Sequence, residues 1–312
     1  MKNINQYIQA VTWLMCLILL PSCKGFLSEE VYTEYNPSAF LSDKAGVDAL
    51  LAGAYSRSRI VQYDARNYTY MMNEFCTDIA FETGGGLERN CVPYINFSWQ
   101  VDDQFLNSFW TKMYAAISSA NSVLSVANSL SSLSEPEVNA IKGEARFIRS
   151  ASYYFLFNIF GPVPIIEIPD NASPDEIEKI GNSTARASET DMVQYMIDDL
   201  TFAAENLPVQ EDPIGKATKG SALAVLTKLY LHQKNWEKVV ETAQKIIDLK
   251  YYSLYSDYTK LFSVDGENNK EFIYRAPCIA KSGYANNYMA HVFPPNYPIQ
   301  NNWANFGAQF MC

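Results

Sequence analysis

GEARFIRSASYYFLFNIFGPVP, residues Gly143 to Pro164, sets a dense run of aromatic side chains beside two arginines. Such a run can be a binding surface, a membrane segment or the inside of a helical fold. The charges of Glu144, Arg146 and Arg149 exclude a membrane span. Apolar and small residues recur at alternating steps of three and four, the spacing of one helix face: Val138, Ile141, Ala145, Ile148, Ser152, Phe155 and Ile159. We therefore predict a core helix with its arginines off the buried face.

Both ends of this helix carry recognisable signals. Ser134-Glu135-Pro136-Glu137 matches a capping box with proline in the first turn. Gly161-Pro162 ends the helix, because glycine suits the C-terminal cap and proline cannot continue the hydrogen-bond ladder.

The same period recurs along the chain. It predicts further helices over 43–58, about 107–128, 190–207, 220–232 and 236–249. A tight turn at Lys234-Asn235 joins the last two, and this pair matches a tetratricopeptide-type hairpin in length. Its fit to the repeat consensus is weak, since Val239 and Ile246 stand where small residues are usual. Paired amphipathic helices with short turns predict a mostly α-helical, solenoid-like scaffold.

Each helix presents a predicted buried face. The faces of the first three helices in this set are Val47, Leu50, Leu51, Ala54 and Tyr55; Trp110, Tyr114, Ile117, Asn121 and Leu124; and Met192, Tyr195, Met196, Leu200 and Ala203. Asn121 lies on its apolar stripe, so its amide needs partners such as neighbouring backbone.

Other stretches depart from the helical period. Residues 171–190 read as a polar loop, and 59–106 contain short β-like runs. Residues 282–312 hold no charged side chain, and their three prolines exclude a long helix. Aromatic residues of a surface-exposed kind occur in 59–106: Tyr63, Tyr68, Tyr70, Tyr94, Phe97 and Trp99. We expect irregular, loop-rich structure in both aromatic stretches.

The N-terminus has the features of an export signal. Val11 to Leu20 is an apolar run too short to span a bilayer, and Pro21-Ser22-Cys23 follows it. The LPSC sequence resembles the lipobox of bacterial lipoproteins, which predicts a signal peptide over 1–22 and acylation of Cys23. A plain secretory peptide and a retained membrane anchor are the alternatives. Several acyl chains on Cys23 would give a stable tether.

The net charge and the small number of metal-binding motifs limit the classes of function that this chain can have. The net charge of −10 argues against nucleic-acid binding. Two histidines and no CxxC or HExxH motif make a zinc site improbable, and no cofactor is indicated; structural calcium stays open. Cys76 and Cys91 can either form a disulfide or remain buried thiols.

The order and spacing of several segments resemble the SusD/RagB family of outer-membrane nutrient-binding lipoproteins. The matching segments follow the lipobox cysteine, Cys23: DALLAGAY at 48–55, W-x3-Y-x2-I-x2-A-N-x2-L at 110–124, the 143–164 run, 186–208, and the 219–247 hairpin leading to YYSLYSDYTKLF at 251–262. Members are usually much longer, so 23–312 is expected to be the N-terminal part of a longer SusD-like domain.

The resemblance implies a tetratricopeptide-like α-hairpin scaffold, an α–α superhelix, with an irregular loop-rich portion that binds ligand. It also implies a lipid-anchored protein at the cell surface. There the protein would cap a TonB-dependent SusC-like transporter and deliver glycans or oligosaccharides to it. Catalysis is not expected.

Sugars bind through C–H faces laid on aromatic rings and through hydroxyls bonded to amides. Residues 282–312 and 94–99 combine these groups. The candidate ligand-binding residues are Trp303, Trp99, Tyr288, Tyr297, Asn301 and Asn302. The competing interpretation is that these rings fill the core of the irregular portion.

Two other functions remain as alternatives. A glycoside hydrolase needs two spaced carboxylates, for which Asp102-Asp103 or Glu74 with Asp78 are nominees, although the latter pair better suits a helix cap or solvated face. No GxSxG, HExxH or P-loop motif occurs. A helical-repeat protein-interaction module would instead bind through the surface of its hairpins.

Overall fold

The computed structural model describes residues 44–63, 72–79, 81–82, 88–127, 130–169, 172–210, 212–277 and 310–311. Helices dominate these residues, which confirms the mostly α-helical prediction. They are α1 Lys44–Tyr63, α2 Glu88–Ile95, α3 Gln104–Ala127, α4 Glu135–Phe160, α5 Pro174–Ser183, α6 Glu189–Asn206, α7 Lys219–His232 and α8 Trp236–Asp248.

Smaller elements complete the described part. A single helical turn covers 72–74, and 3-10 turns cover Tyr258–Lys260 and Val264–Gly266. Strands β1, Phe81–Glu82, and β2, Phe310–Met311, pair antiparallel with Phe81 opposite Met311.

The long helices pack mainly against their neighbours in a chain of contacts. Helix α1 packs on α3, α3 on α4, α4 on α6, α6 on α7 and α7 on α8, while α1 also contacts α4. Nearest-neighbour stacking of helical hairpins is the arrangement of tetratricopeptide-like scaffolds. The predicted hairpin is present as α7 and α8, with Lys234 at φ +58° in the turn.

Helix α4 is the core helix that the sequence predicts, beginning after Ser134 with its capping box and ending at Gly161. Its buried surface is wider than one stripe, because α3 and α6 cover it on different sides. Phe155 and Ile159 are only half-buried, whereas Phe147, Tyr153 and Phe157 are buried.

The buried face of α3 is rotated from the predicted stripe. Trp110, Tyr114 and Leu124 are half-buried at its flank. The fully buried residues are Phe105, Phe109, Met113, Ala116, Ile117, Ala120, Val123 and Ala127. The periodicity identified the helix, but the side facing α4 depends on how α1 and α4 pack against it.

The predicted polar loop over 171–190 is wrong for its first half, which forms α5. Ser173 caps this helix: the Ser173 N–H donates to Glu176 Oε2 at 2.8 Å, and the Glu176 N–H donates to Ser173 Oγ at 3.3 Å. The bond from the Ser173 N–H, with that from its hydroxyl, holds the pKa of Glu176 below its ordinary value. The same capping box begins α4, so the signal was available.

Among the described residues of 59–106, the predicted β-like character is limited to the two residues of β1. Residues Glu88–Ile95 form α2 even though Pro93 lies inside it. Cys91 and Tyr94, three positions apart, are both buried, so packing of one helix face outweighs the local preferences. Tyr94 is therefore a core residue, contrary to its surface assignment.

Two further observations concern the thiols and the helices. Cys76 and Cys91 are not joined by the disulfide that was one of the two alternatives, and both remain thiols. Within the described residues, none of the helices combines the length and the hydropathy that a transmembrane span requires.

Candidate functional site

Trp99 lies in the segment 96–103 that connects α2 to α3. It is 41% exposed, and Phe97 beside it is 65% exposed. Their ring centroids are 5.8 Å apart and the ring planes are inclined by 52°. We call Phe97 and Trp99 the aromatic platform, because they present adjacent ring surfaces to solvent.

Backbone hydrogen bonds shape this connecting segment. The N–H groups of Asn96, Phe97 and Ser98 donate to carbonyls of α2, the last bond reaching Pro93 O at 2.7 Å. Phe97 has φ +53°, a left-handed conformation that is uncommon for a residue other than glycine. These bonds and the left-handed Phe97 cap the C-terminus of α2.

Tyr94 lies beneath Trp99 and is bonded to the half-buried Asp103. Tyr94 is 2% exposed, and its ring stacks on Trp99 with centroids 6.1 Å apart and planes inclined by 25°. The Tyr94 hydroxyl donates to Asp103 Oδ1 at 2.7 Å. Burial raises the pKa of Tyr94 and the hydrogen bond to Asp103 raises it further, so the hydroxyl stays protonated and remains a donor.

The nominated carboxylates include Asp103 and the pair Glu74 and Asp78, whose local surroundings the structure describes. Asp103 Oδ1 accepts from the N–H groups of Phe105 and Leu106 at 2.8 and 3.0 Å, as the N-cap of α3, in addition to Tyr94. Glu74 ends a single helical turn and Asp78 lies in the bend that follows, so they do not share one helix face. In the part of the chain that the structure describes, no group of three or more His, Cys, Asp or Glu side chains can hold a metal ion.

A second polar cluster lies between α3, α4 and α6. Arg149 donates from Nε and Nη2 to the two carboxylate oxygens of Asp199 at 2.8 Å each, and from Nη1 to Asn121 Oδ1 at 2.8 Å. Asn121 Nδ2 donates to Ile166 O at 3.0 Å, which confirms the predicted backbone partner. The expectation that Arg149 lies off the buried face is wrong, because its side chain is only 13% exposed.

This cluster borders an open cavity of about 510 Å³ that Glu167 also lines. The polar groups of the cluster bond one another, and the cluster therefore links α3, α4, α6 and the 163–169 segment. The sequence carried one signal for it: Asp199 follows Met196 by three positions on the predicted buried face of α6, where a charge requires a buried partner.

The remaining predicted site residues, Trp303, Tyr288, Tyr297, Asn301 and Asn302, lie outside the described residues, as does Cys23. Of the six ligand-binding candidates, the structure therefore locates Trp99 on the surface. Sequence analysis missed the second layer of the site, because nothing local to Tyr94 or Asp103 indicates that they meet.

Comparison with known proteins identifies the family. A SusD-like family model described as "Starch-binding associating with outer membrane" matches residues 25–231. The chain belongs to the SusD-like family. The resemblance to SusD/RagB proteins is thereby confirmed, and this family is associated with the outer membrane.

Individual relatives agree with this assignment. The SusD-like chain is 27% identical to SusD-like protein P2 of Formosa agariphila over 90% of its own length and 56% of that protein. It is 26% identical to a SusD-like protein of Bacteroides ovatus over 81% of its own length and 46% of that protein. The chain thus spans about half the length of the curated relatives it matches.

A solved structure supports the fold. The chain is similar to a protein described as a laminarin-binding SusD-like protein, with a TM-score of 0.67 and 25% identity over 75% of this chain and 51% of that one. The described helices therefore have the arrangement of the corresponding half of a SusD-like protein.

Proposed function

We propose that this protein is a cell-surface lipoprotein that binds glycan on the aromatic platform and delivers it to a TonB-dependent SusC-like transporter. The observation that carries the proposal is the adjacency of Phe97 and Trp99, two exposed rings 5.8 Å apart on one short segment. Aromatic rings bind the apolar C–H faces of sugars, and rigid rings lose little conformational entropy on binding.

Polar groups for sugar hydroxyls lie in the same segment. The amide side chains of Asn96 and Gln100 are exposed on either side of the platform, and an amide can both donate and accept hydrogen bonds. We propose that Trp303, Tyr288, Tyr297, Asn301 and Asn302 complete the site. The relative described as laminarin-binding and the starch-binding description of the family support glycan as the ligand class.

Binding without turnover is part of the proposal. The Asp103 carboxylate, which bonds Tyr94 under Trp99, already accepts three hydrogen bonds through one oxygen. Hydrolysis of a glycosidic bond needs a pair of available carboxyl groups, one on each side of the bond. The arrangement favours retention of the glycan.

The test compares Trp99→Ala with Trp236→Ala, a control that removes an exposed tryptophan from α8. Affinity electrophoresis and calorimetry with starch, laminarin and xyloglucan first identify which glycan the wild type binds. We expect Trp99→Ala to weaken that Kd by about tenfold or more, about 1.4 kcal/mol per factor of ten. We expect Trp236→Ala to leave it unchanged.

If Trp99→Ala and Phe97→Ala both bind every glycan with the affinity of the wild type, the platform assignment is contradicted. Release of new reducing ends by the purified protein would contradict binding without turnover.

The second function considered, protein interaction, is favoured by one surface. Trp236, Val240 and Ile247 are exposed and recur at steps of four and seven, so they share one face of α8. We propose that this face contacts the transporter, since it is an exposed apolar surface of the hairpin through which a helical-repeat module would bind a protein partner. Glycan binding and protein contact then occupy different elements of one molecule.

We further propose that acylated Cys23 tethers the protein to the outer membrane after removal of residues 1–22. The LPSC sequence and the family description of outer-membrane association support the tether.

A further inference from the structure

We propose that Tyr94 and Asp103 are positioning residues that hold Trp99 in its ligand-binding orientation. This inference rests on the proposed function of the platform and adds a second layer to it. The two residues do not contact the ligand in this proposal, because Tyr94 is buried beneath Trp99 and the Asp103 oxygen that it bonds is occupied.

The rings of Tyr94 and Trp99 are stacked on one another. Tyr94 and Trp99 are close to parallel, with centroids 6.1 Å apart. Because Tyr94 is almost fully buried, it covers part of the indole and leaves the remainder exposed. A change in the position of Tyr94 would therefore change the direction in which Trp99 presents its free surface.

A hydrogen bond to Asp103 fixes Tyr94. Its hydroxyl is 2.7 Å from Asp103 Oδ1, and the same oxygen accepts the N–H groups of Phe105 and Leu106. One carboxylate oxygen thus joins the end of α2 to the first turn of α3. Trp99 lies in the segment between the end of α2 and the first turn of α3. The conformational entropy of ordering Trp99 is therefore lost on folding and not on ligand binding.

A plain helix-capping role for Asp103 does not account for the bond to Tyr94. Asp, Asn and Ser cap helices almost equally well, because each can accept a bond from the backbone of the first turn. The Ser hydroxyl lies one bond closer to its backbone than Asp Oδ1, so it is too short to bond Tyr94 as well. Asn retains an oxygen at the position of Oδ1.

This difference provides a matched pair of variants. In Asp103→Asn we expect the glycan Kd to stay within about twofold of the wild type, because both roles are kept. In Asp103→Ser and in Tyr94→Phe we expect it to weaken by about three- to tenfold, the effect of losing one hydrogen bond. The ligand is the glycan that the wild type binds in the electrophoresis described above.

A spectroscopic readout separates positioning from general stability. Acrylamide quenching assigned to Trp99, by difference against the same protein with Trp99→Phe, should increase in Asp103→Ser and Tyr94→Phe. It should be unchanged in Asp103→Asn. Both variants cap α3, but Asp103→Ser leaves the buried Tyr94 hydroxyl without its acceptor, so its thermal midpoint should lie somewhat below that of Asp103→Asn while both remain folded at the temperature of the binding measurement.

Wild-type affinity and quenching in Asp103→Ser and Tyr94→Phe would overturn the inference while leaving the platform intact, provided that Trp99→Ala loses binding. An equal loss of glycan affinity in Asp103→Asn and Asp103→Ser would also overturn the inference, because Asn keeps the oxygen that accepts from Tyr94. If Trp99→Ala binds glycan normally, the proposed function fails, and increased quenching alone would then support the positioning of Trp99.

Discussion

Asp199 has only 4% of its side chain exposed, yet it carries a charge. Its two oxygens each accept a bond from Arg149, while the Arg146 Nε lies 3.8 Å from Oδ1. Removing one partner of such a pair leaves an uncompensated buried charge, which costs far more than the pair itself contributes. The bidentate geometry of the pair adds a directional contact between α4 and α6.

We predict that Asp199→Ala lowers the free energy of unfolding by about 3–5 kcal/mol, measured by urea denaturation. Glu241→Ala is the control: Glu241 forms exposed ion pairs with Lys238 and Lys245, and its loss should cause no measurable change. A double variant with Arg149→Met and Asp199→Leu should recover much of the stability. A wild-type midpoint for Asp199→Ala would show that the pair is not a structural determinant.

At the scale of elements, the chain after α8 returns to the start of α7. The Tyr252 hydroxyl is 3.1 Å from Thr218 Oγ1, at the N-cap of α7. Its ring lies where a side chain at Gly220 would be, so even a methyl group there overlaps Tyr252. Between the two helices, Thr227 Oγ1 donates to Thr242 Oγ1 at 2.9 Å. The hairpin is therefore closed at its open end by one aromatic residue and one glycine.

We predict that Gly220→Ala lowers the free energy of unfolding by about 1–3 kcal/mol, because Tyr252 must move out of its place. Helix propensity alone would give the opposite sign. Gly53→Ala on α1 is the matched control: nothing lies near its added methyl group, and it should raise stability by about 0.5–1 kcal/mol. Hydrogen exchange should locate the loss in α7 and residues 251–253. Stabilisation by both substitutions would contradict the proposed closure.

At the scale of the whole molecule, we propose that three separate parts of the chain carry three functions. The aromatic platform binds glycan, the exposed apolar face of α8 contacts the transporter, and Cys23 holds the protein at the membrane. Substitutions at the three places should therefore have separable effects, because the residues concerned belong to different parts of the chain.

We predict this separation in membrane fractions of the native host. Cys23→Ala should release the protein into the soluble fraction. Trp236→Glu should stay membrane-bound but recover less of a TonB-dependent transporter on affinity purification, since a charge disrupts an apolar contact. Phe97→Ala, the control, should alter neither property. Retention of Cys23→Ala through carbonate washing would contradict the tether, and full transporter recovery with Trp236→Glu would contradict the α8 contact.

Local features of this protein were predictable from its sequence. The start of α4 at Ser134, its end at Gly161 and the α7–α8 hairpin depend on residues within a few positions of one another. The family, too, followed from the order of such segments. Helix α5 belongs to the same class, since its capping box at Ser173 is a local signal.

Contacts between distant positions were not predictable in this way. Arg149 and Asp199 are 50 positions apart, and the buried bond from Tyr55 to Glu144 spans 89. Tyr94 lies in a stretch of sequence that is typical of surface aromatic residues. Only the packing of α2 and the 96–103 segment makes it the support for Trp99. Periodicity specifies that a helix has a buried side; the neighbouring helices determine which residues on that side are enclosed and which polar groups meet there.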